Sequence, residues 1–90
     1  MLYMVIENFR PGAAPEIYRR VREGGRQLPE GLEYLNSWVD FDYERCFQLM
    51  ETDDESLFDR WIGYWSDVTD FEIVPVRTSA DAAAAIANKI

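Results

Sequence analysis

Leu32-Glu33-Tyr34-Leu35-Asn36-Ser37-Trp38-Val39-Asp40, a turn through Phe41-Asp42-Tyr43-Glu44, and then Arg45-Cys46-Phe47-Gln48-Leu49-Met50-Glu51 form the stretch that decides the fold. About five polar or turn residues join the two short runs, so they read as a β-hairpin. Alternation puts Tyr34, Asn36 and Trp38 on one face of the first run and Leu35, Ser37 and Val39 on the other. In the second run Cys46, Gln48 and Met50 share a face.

Outward from the hairpin the pattern changes period on both sides. Upstream, a helix is expected from about Ala14 or Pro15 to Arg26, with Pro15 suited to a first turn. Ile17, Val21, Gly24 and Leu28 line one stripe of it, Arg19, Arg22 and Arg26 the opposite face, and Glu16 and Arg20 form a favourable pair. Gly24-Gly25 and Pro29 end it. Downstream, Thr52 and Glu55 have capping-box spacing. The helix that follows carries Leu57, Trp61, Trp65 and Val68 on one stripe with Phe58 and Ile62 beside them, which is core spacing. At the outer ends lie two more strands. Leu2 to Phe9 is stopped by Arg10-Pro11-Gly12, and Phe71 to Arg77 contains Pro75. Proline cannot donate to a ladder, so the Pro75 strand belongs at an edge or a bulge. Ser79-Ala80-Asp81 suits the cap of an alanine-rich C-terminal helix.

The order is β-α-β-β-α-β plus a terminal helix, an α+β, ferredoxin-like pattern: a four-stranded antiparallel sheet of order 4-1-3-2 with both main helices on one face. The order itself puts the Pro75 strand at an edge, in agreement with the proline argument. With 90 residues the chain makes one domain. The helices leave a second sheet face, expected to carry Tyr34, Asn36 and Trp38 with Cys46, Gln48 and Met50. The first strand adds either Met4, Ile6 and Asn8 or Tyr3, Val5 and Phe9. So large an apolar and aromatic patch calls for a cover, and a second copy forming an isologous homodimer is the simplest one.

Several of these segments also resemble a known family. Met1-Leu2-Tyr3-Met4-Val5, Pro29-Glu30-Gly31-Leu32, Ser37-Trp38, Leu49-Met50-Glu51-Thr52-Asp53-Asp54, Trp65-Ser66-Asp67 and Phe71-Glu72-Ile73-Val74-Pro75-Val76 resemble short single-domain proteins of unknown function within the dimeric α+β-barrel superfamily. The resemblance implies two sheets packed face to face with a cavity between them. It brings no catalytic residues.

Composition removes many functions. Nine basic and seventeen acidic residues give a net charge of -8, which argues against nucleic acid as a partner. The charge is uneven: residues 1–26 carry +2 and residues 27–90 carry -10. The absence of histidine removes Ser-His-Asp and Cys-His catalysis, histidine-ligated haem and the ordinary zinc site. Asp53-Asp54-Glu55 lacks the pattern of a calcium loop. No cofactor or metal is therefore expected. The one cysteine, Cys46, cannot make an intrachain disulfide and reads as an inert buried thiol, in keeping with a reducing cytoplasm. The longest uncharged run, Ala82 to Asn88, has seven residues, far below the roughly 20 of a membrane span. No signal-peptide pattern opens the chain.

The leading expectation is a cytoplasmic homodimer, non-enzymatic or minimally catalytic. It would bind a small apolar or aromatic molecule in the inter-sheet cavity, lined by Tyr34, Asn36, Trp38, Gln48 and Met50. The alternative is a cofactor-independent monooxygenase or isomerase acting on an enolisable aromatic substrate, with Asn36 and Trp38 stabilising a developing oxyanion. This alternative rests on analogy within the superfamily. Glu7, two-thirds along the first strand, is the carboxylate with least structural explanation, and Arg10 or Arg77 is its expected partner.

Overall fold

Leu2–Phe9 forms the central strand β1, as its β-branched and aromatic content favours. It pairs antiparallel with β3 (Arg45–Glu51) on one side and β4 (Thr69–Val76) on the other, and β2 (Glu33–Val39) completes the sheet beyond β3. The sheet order is β2-β3-β1-β4, the expected order read from the opposite edge. The computed structural model describes residues 1–90. Its helices are α1 (Ala14–Gly24), α2 (Ser56–Trp65) and α3 (Ser79–Ile86), with a 3-10 turn at Ala87–Lys89. Pro75 lies on the edge strand β4 opposite Tyr3, where its missing N–H breaks no interior ladder.

Both main helices cover one face of the sheet. Ile17 from α1 and Phe58, Trp61 and Trp65 from α2 form a single core with Tyr3 and Val5 of β1, Met50 of β3, and the loop residues Leu32 and Val68. The Tyr3 and Phe58 rings meet edge to face with centroids 5.0 Å apart. These pairings settle the phase of β1: Tyr3, Val5, Glu7 and Phe9 point to the helices, and Met4, Ile6 and Asn8 point to the open face.

The faces of the hairpin differ from simple alternation. Tyr34 pairs with Met50, but the next partners are Asn36 with Leu49, so Leu35 is an extra residue in a β-bulge. Directly opposed residues share a face, so the bulge splits the Tyr34-Asn36-Trp38 set. Tyr34, Ser37 and Val39 turn to the helix side, while Asn36 and Trp38 turn to the open side. Cys46, Gln48 and Met50 are also on the helix side, where all three are buried. The expectation that they line the open face is corrected, because the apolar helices sit on that side of β3. The open face instead carries Phe47 and Leu49 of β3 with Met4, Ile6, Trp38 and Val74.

Helix boundaries show local chemistry at work. α1 stops at Gly24 and not at Arg26, because Gly25 adopts φ +70° and ψ -163°, a backbone region open essentially to glycine alone. At α2 the expected Thr52–Glu55 capping box does not form. Thr52 is buried and its hydroxyl accepts from the Asp54 N–H at 3.1 Å, while the Asp54 carboxylate accepts from the Ser56 N–H at 3.0 Å. Glu55 accepts a hydrogen bond from the Tyr3 hydroxyl at 2.7 Å instead. Thr78, one residue before the expected Ser79, caps α3 by accepting from the Asp81 N–H at 3.0 Å. No residue of α3 is buried, and no helix is long and apolar enough to cross a membrane.

The layered core gives a direct test. Phe58→Ala should lower the unfolding free energy by about 3–5 kcal/mol in urea denaturation, from lost burial plus a cavity. Phe41→Ser, at a side chain fully exposed in the hairpin turn, should stay within about 0.5 kcal/mol.

Candidate functional site

Between the sheet and the two helices lies a cavity of about 170 Å³ lined by twelve residues, eight of them hydrophobic. Phe9, Ile17, Val21, Val39, Trp61 and Trp65 make most of the apolar wall. The polar side chains come from four elements: Glu7 from β1, Cys46 and Gln48 from β3, Ser37 from β2, and Arg26 from the turn after α1. Tyr18 of α1 also lines the cavity and lies edge-on to Tyr43 of the hairpin turn. A wider surface groove of about 410 Å³ runs past Tyr3, Glu55 and Asp59. Its polar groups are largely committed already, since the Tyr3 hydroxyl is bonded to Glu55.

Arg26 reaches the cavity because the chain turns back on itself there. Its two neighbours, Gly25 and Gln27, both have positive φ, at 70° and 60°. For Gln27 this left-handed conformation costs on the order of 1 kcal/mol, and its side-chain amide donates to the Gly24 carbonyl. The Arg26 carbonyl then accepts the indole N–H groups of both Trp61 and Trp65, at 2.9 and 3.0 Å. Its guanidinium lies over the Tyr34 ring, 3.7 Å from the centroid, and Nε donates to Gln48 Oε1 at 3.4 Å. The terminal nitrogens of Arg26 make no hydrogen bond and no ion pair. The expectation that Arg26 belongs to a solvated stripe is corrected. Arg19 keeps that role, pairing with Glu16 and Glu23, and Arg20 joins Glu16 to Asp67.

Glu7 is the counterpart. It makes no side-chain hydrogen bond and no salt bridge, and the expected partner Arg10 binds Asp70 at 3.0 Å instead. Burial pushes the Glu7 carboxyl up to about 7, with the positive charge of Arg26 pulling the other way. The same burial, aided by Glu7, pushes the Cys46 thiol up to about 12, so it stays protonated and unreactive. Burial likewise raises the Tyr18 phenol. A carboxyl that can gain or lose a proton near neutrality thus shares one apolar chamber with a fixed positive charge.

Among the residues expected to line a site, Gln48 is at this cavity and Tyr34 stands just behind it under Arg26. Met50 is fully enclosed in the core, where Gln48 Nε2 reaches its Sδ at 3.3 Å. Asn36 and Trp38 lie on the opposite side of the sheet. Asn36 Oδ1 accepts from the Ser37 N–H at 2.8 Å, and Trp38 is half exposed. The fold does not bring these five residues together. Arg26 is the functional side chain that sequence reasoning missed. Taking the glycine pair as a stop at Gly24 would have freed Arg26 from the helical stripe. No group of three or more Cys, Asp or Glu side chains is placed to hold a metal ion.

Burial of the Glu7 carboxyl couples folding stability to pH. The folded state keeps a proton that the unfolded chain, with an ordinary value of 4.5, releases as pH rises. The contribution of this group to stability is therefore present below 4.5 and lost as pH climbs to about 7. Glu7→Gln should gain on the wild type by about 3 kcal/mol between those limits, read from urea denaturation of both proteins across the window. Arg26, Cys46 and Tyr18 are the other ionisable groups on the cavity, and the variant leaves all three in place. Equal pH slopes for the two proteins would show that Glu7 titrates normally.

No curated protein matches the chain. A family model described as a domain of unknown function matches it over residues 1–90. The chain, a ferredoxin-like α+β domain with a sheet-helix cavity, therefore belongs to the DUF3303 family.

Proposed function

We propose that the protein is a homodimer closed over the open face of its sheet, and that each chain binds a small cyclic molecule in the cavity between sheet and helices. The observation that carries the binding reading is a ring-sized, mostly apolar cavity lined by Glu7, which has no hydrogen-bond partner, and by Arg26, whose terminal nitrogens are free. A dry cavity of about 150 Å³ accommodates a benzene ring, and the volume here is about 170 Å³. Glu7 makes no side-chain hydrogen bond and Arg26 engages only its Nε, with Gln48, so both polar ends keep bonding capacity that solvent meets in the free chain and a ligand could take over. A ligand with an apolar ring and one oxygen function answers both needs. This moves the expected ligand from between two sheets to one side of each sheet.

Dimerisation is supported by the other face. Met4, Ile6, Phe47, Leu49 and Val74 form a continuous apolar surface, with Trp38 at its border. Only 13 of the 90 residues are buried in the single chain, so much of its apolar content still lacks cover. A two-fold interface would bring this face against its own copy and turn Asn36 and Trp38 into interface residues. An oxygenase role for that pair finds no support in the single chain, where the two residues lie on the other face of the sheet from this cavity. A reducing cytoplasmic setting suits the one buried, free thiol.

Sedimentation velocity at micromolar concentration should give a species of twice the 10.5 kDa chain mass. Phe47→Glu, which places like charges across the two-fold axis, should convert it to monomer. A wild-type monomer sinks the dimer. For the cavity, adding phenol or cyclohex-2-en-1-one should shift the indole N–H resonances of Trp61 and Trp65 in a saturable manner, and Val21→Trp, which fills the chamber, should abolish the shift. Unmoved indole signals with both probes would sink the binding reading.

A further inference from the structure

The arrangement of Glu7 and Arg26 goes beyond simple retention of a ligand. We propose that this cavity is a cofactor-free isomerase site, moving a proton between carbons of a small cyclic β,γ-unsaturated ketone with Glu7 as the base and Arg26 as the oxyanion holder. The inference rests on the cavity-binding reading above and names the substrate class for it.

Three features of the cavity select this chemistry. First, Glu7 and Arg26 both face the chamber yet form no salt bridge with each other. A closed ion pair would neutralise both groups, whereas here each keeps atoms free to meet a substrate in the cavity that both line. Second, Arg26 is fixed by parts it does not need for catalysis. Its carbonyl is held by two tryptophans, its Nε by Gln48 and its flat face by Tyr34, while the terminal nitrogens stay free to meet a developing negative charge. Such a charge is best stabilised by donors that need not reorganise. Third, a base works best when its proton affinity matches the ambient pH, and burial has brought Glu7 into that range.

The reaction balances without any other reagent. The Glu7 carboxylate takes a proton from the carbon between the carbonyl and the alkene, breaking that C–H bond and forming an O–H bond on Glu7. The electron pair left behind spreads through a dienolate whose oxygen lies against the Arg26 terminal nitrogens. Glu7 then gives the proton to the γ-carbon, the double bond moves into conjugation with the carbonyl, and the carboxylate is restored. Nothing is oxidised or reduced. Trp61, Trp65 and Phe9 wall the intermediate on its apolar side and limit its contact with water. Cys46 beside Glu7 takes no part, because its thiol remains protonated.

The probe is cyclohex-3-en-1-one with the full-length wild-type protein, followed by the ultraviolet absorbance of the conjugated product. Isomerisation should exceed the buffer rate, with kcat/KM rising with pH up to about 7 and level above it. Glu7→Gln and Arg26→Gln should each reduce it by about 100-fold or more. Glu7→Asp, which keeps a carboxylate but withdraws it, should retain a measurable rate and the pH profile. Circular dichroism checks that each variant is folded, and an unfolded Glu7→Gln leaves the decision to Glu7→Asp and Arg26→Gln. If the wild type shifts the indole resonances on adding cyclohex-2-en-1-one but isomerises nothing, the catalytic inference fails and the binding reading survives. If neither enone binds, both fail. Turnover unchanged in Glu7→Gln, or the same in Glu7→Asp and Arg26→Gln as in wild type, would overturn the assignment of these residues.

Discussion

One main-chain oxygen ties the end of α1 to α2 within the helix layer. The Arg26 carbonyl accepts hydrogen bonds from the indoles of Trp61 and Trp65, so the loop leaving α1 is fastened to the buried face of α2. Two large side chains can enter the core only if their N–H groups find acceptors there, and this one oxygen serves both. The same bonds oblige the chain to reverse immediately after α1, with Gly25 and Gln27 in left-handed conformations on either side. A polar requirement of the core therefore fixes the turn that brings Arg26 to the cavity beside Glu7.

The placement of Glu7 has an energetic cost that the rest of the fold must absorb. A carboxyl held in an apolar chamber destabilises the folded state at neutral pH, and Arg26 offsets only part of that burden. The large aromatic core around Phe58, Trp61 and Trp65 supplies the compensation. Stability and an ionisable cavity are in tension here, as they commonly are where a site is built into a core.

The order of elements was legible because each rests on a strong periodic or punctuating signal. Pro75 reads as an edge strand and lies on one, the alternation around residues 32–51 reads as a hairpin, and the tryptophan spacing in α2 reads as core and packs as core. Which way each strand faced was legible only in part. β1 is apolar on both sides, so its phase depends on where the helices land. In β2 the bulge at Leu35 reverses the alternation midway, and no glycine or proline marks it. That single extra residue separated Tyr34 from Asn36 and Trp38 and dispersed the expected site. Glu7 stood out as a carboxylate without a structural reason. Arg26 did not, because placing it inside the helix hid the fact that two glycines precede it. Thr52 and Glu55 show the same limit on a smaller scale: their spacing fits a capping box, but Tyr3 from a distant strand competes for Glu55 and wins.

The terminal helix α3 has no buried residue, and the molecule measures 48 Å along its longest axis against 18 Å along its shortest. Short helices hold together poorly on intrinsic propensity alone, so in the single chain α3 is thermodynamically separate from the layered core. The polypeptide is then expected to behave as two units of very unequal kind, with residues 2–76 unfolding as one body and α3 melting and re-forming locally. Its backbone amides would exchange with solvent deuterium through that local opening, without waiting for the core to unfold. Slow exchange in α3 would accordingly be a direct signature of a neighbouring surface holding the helix in place.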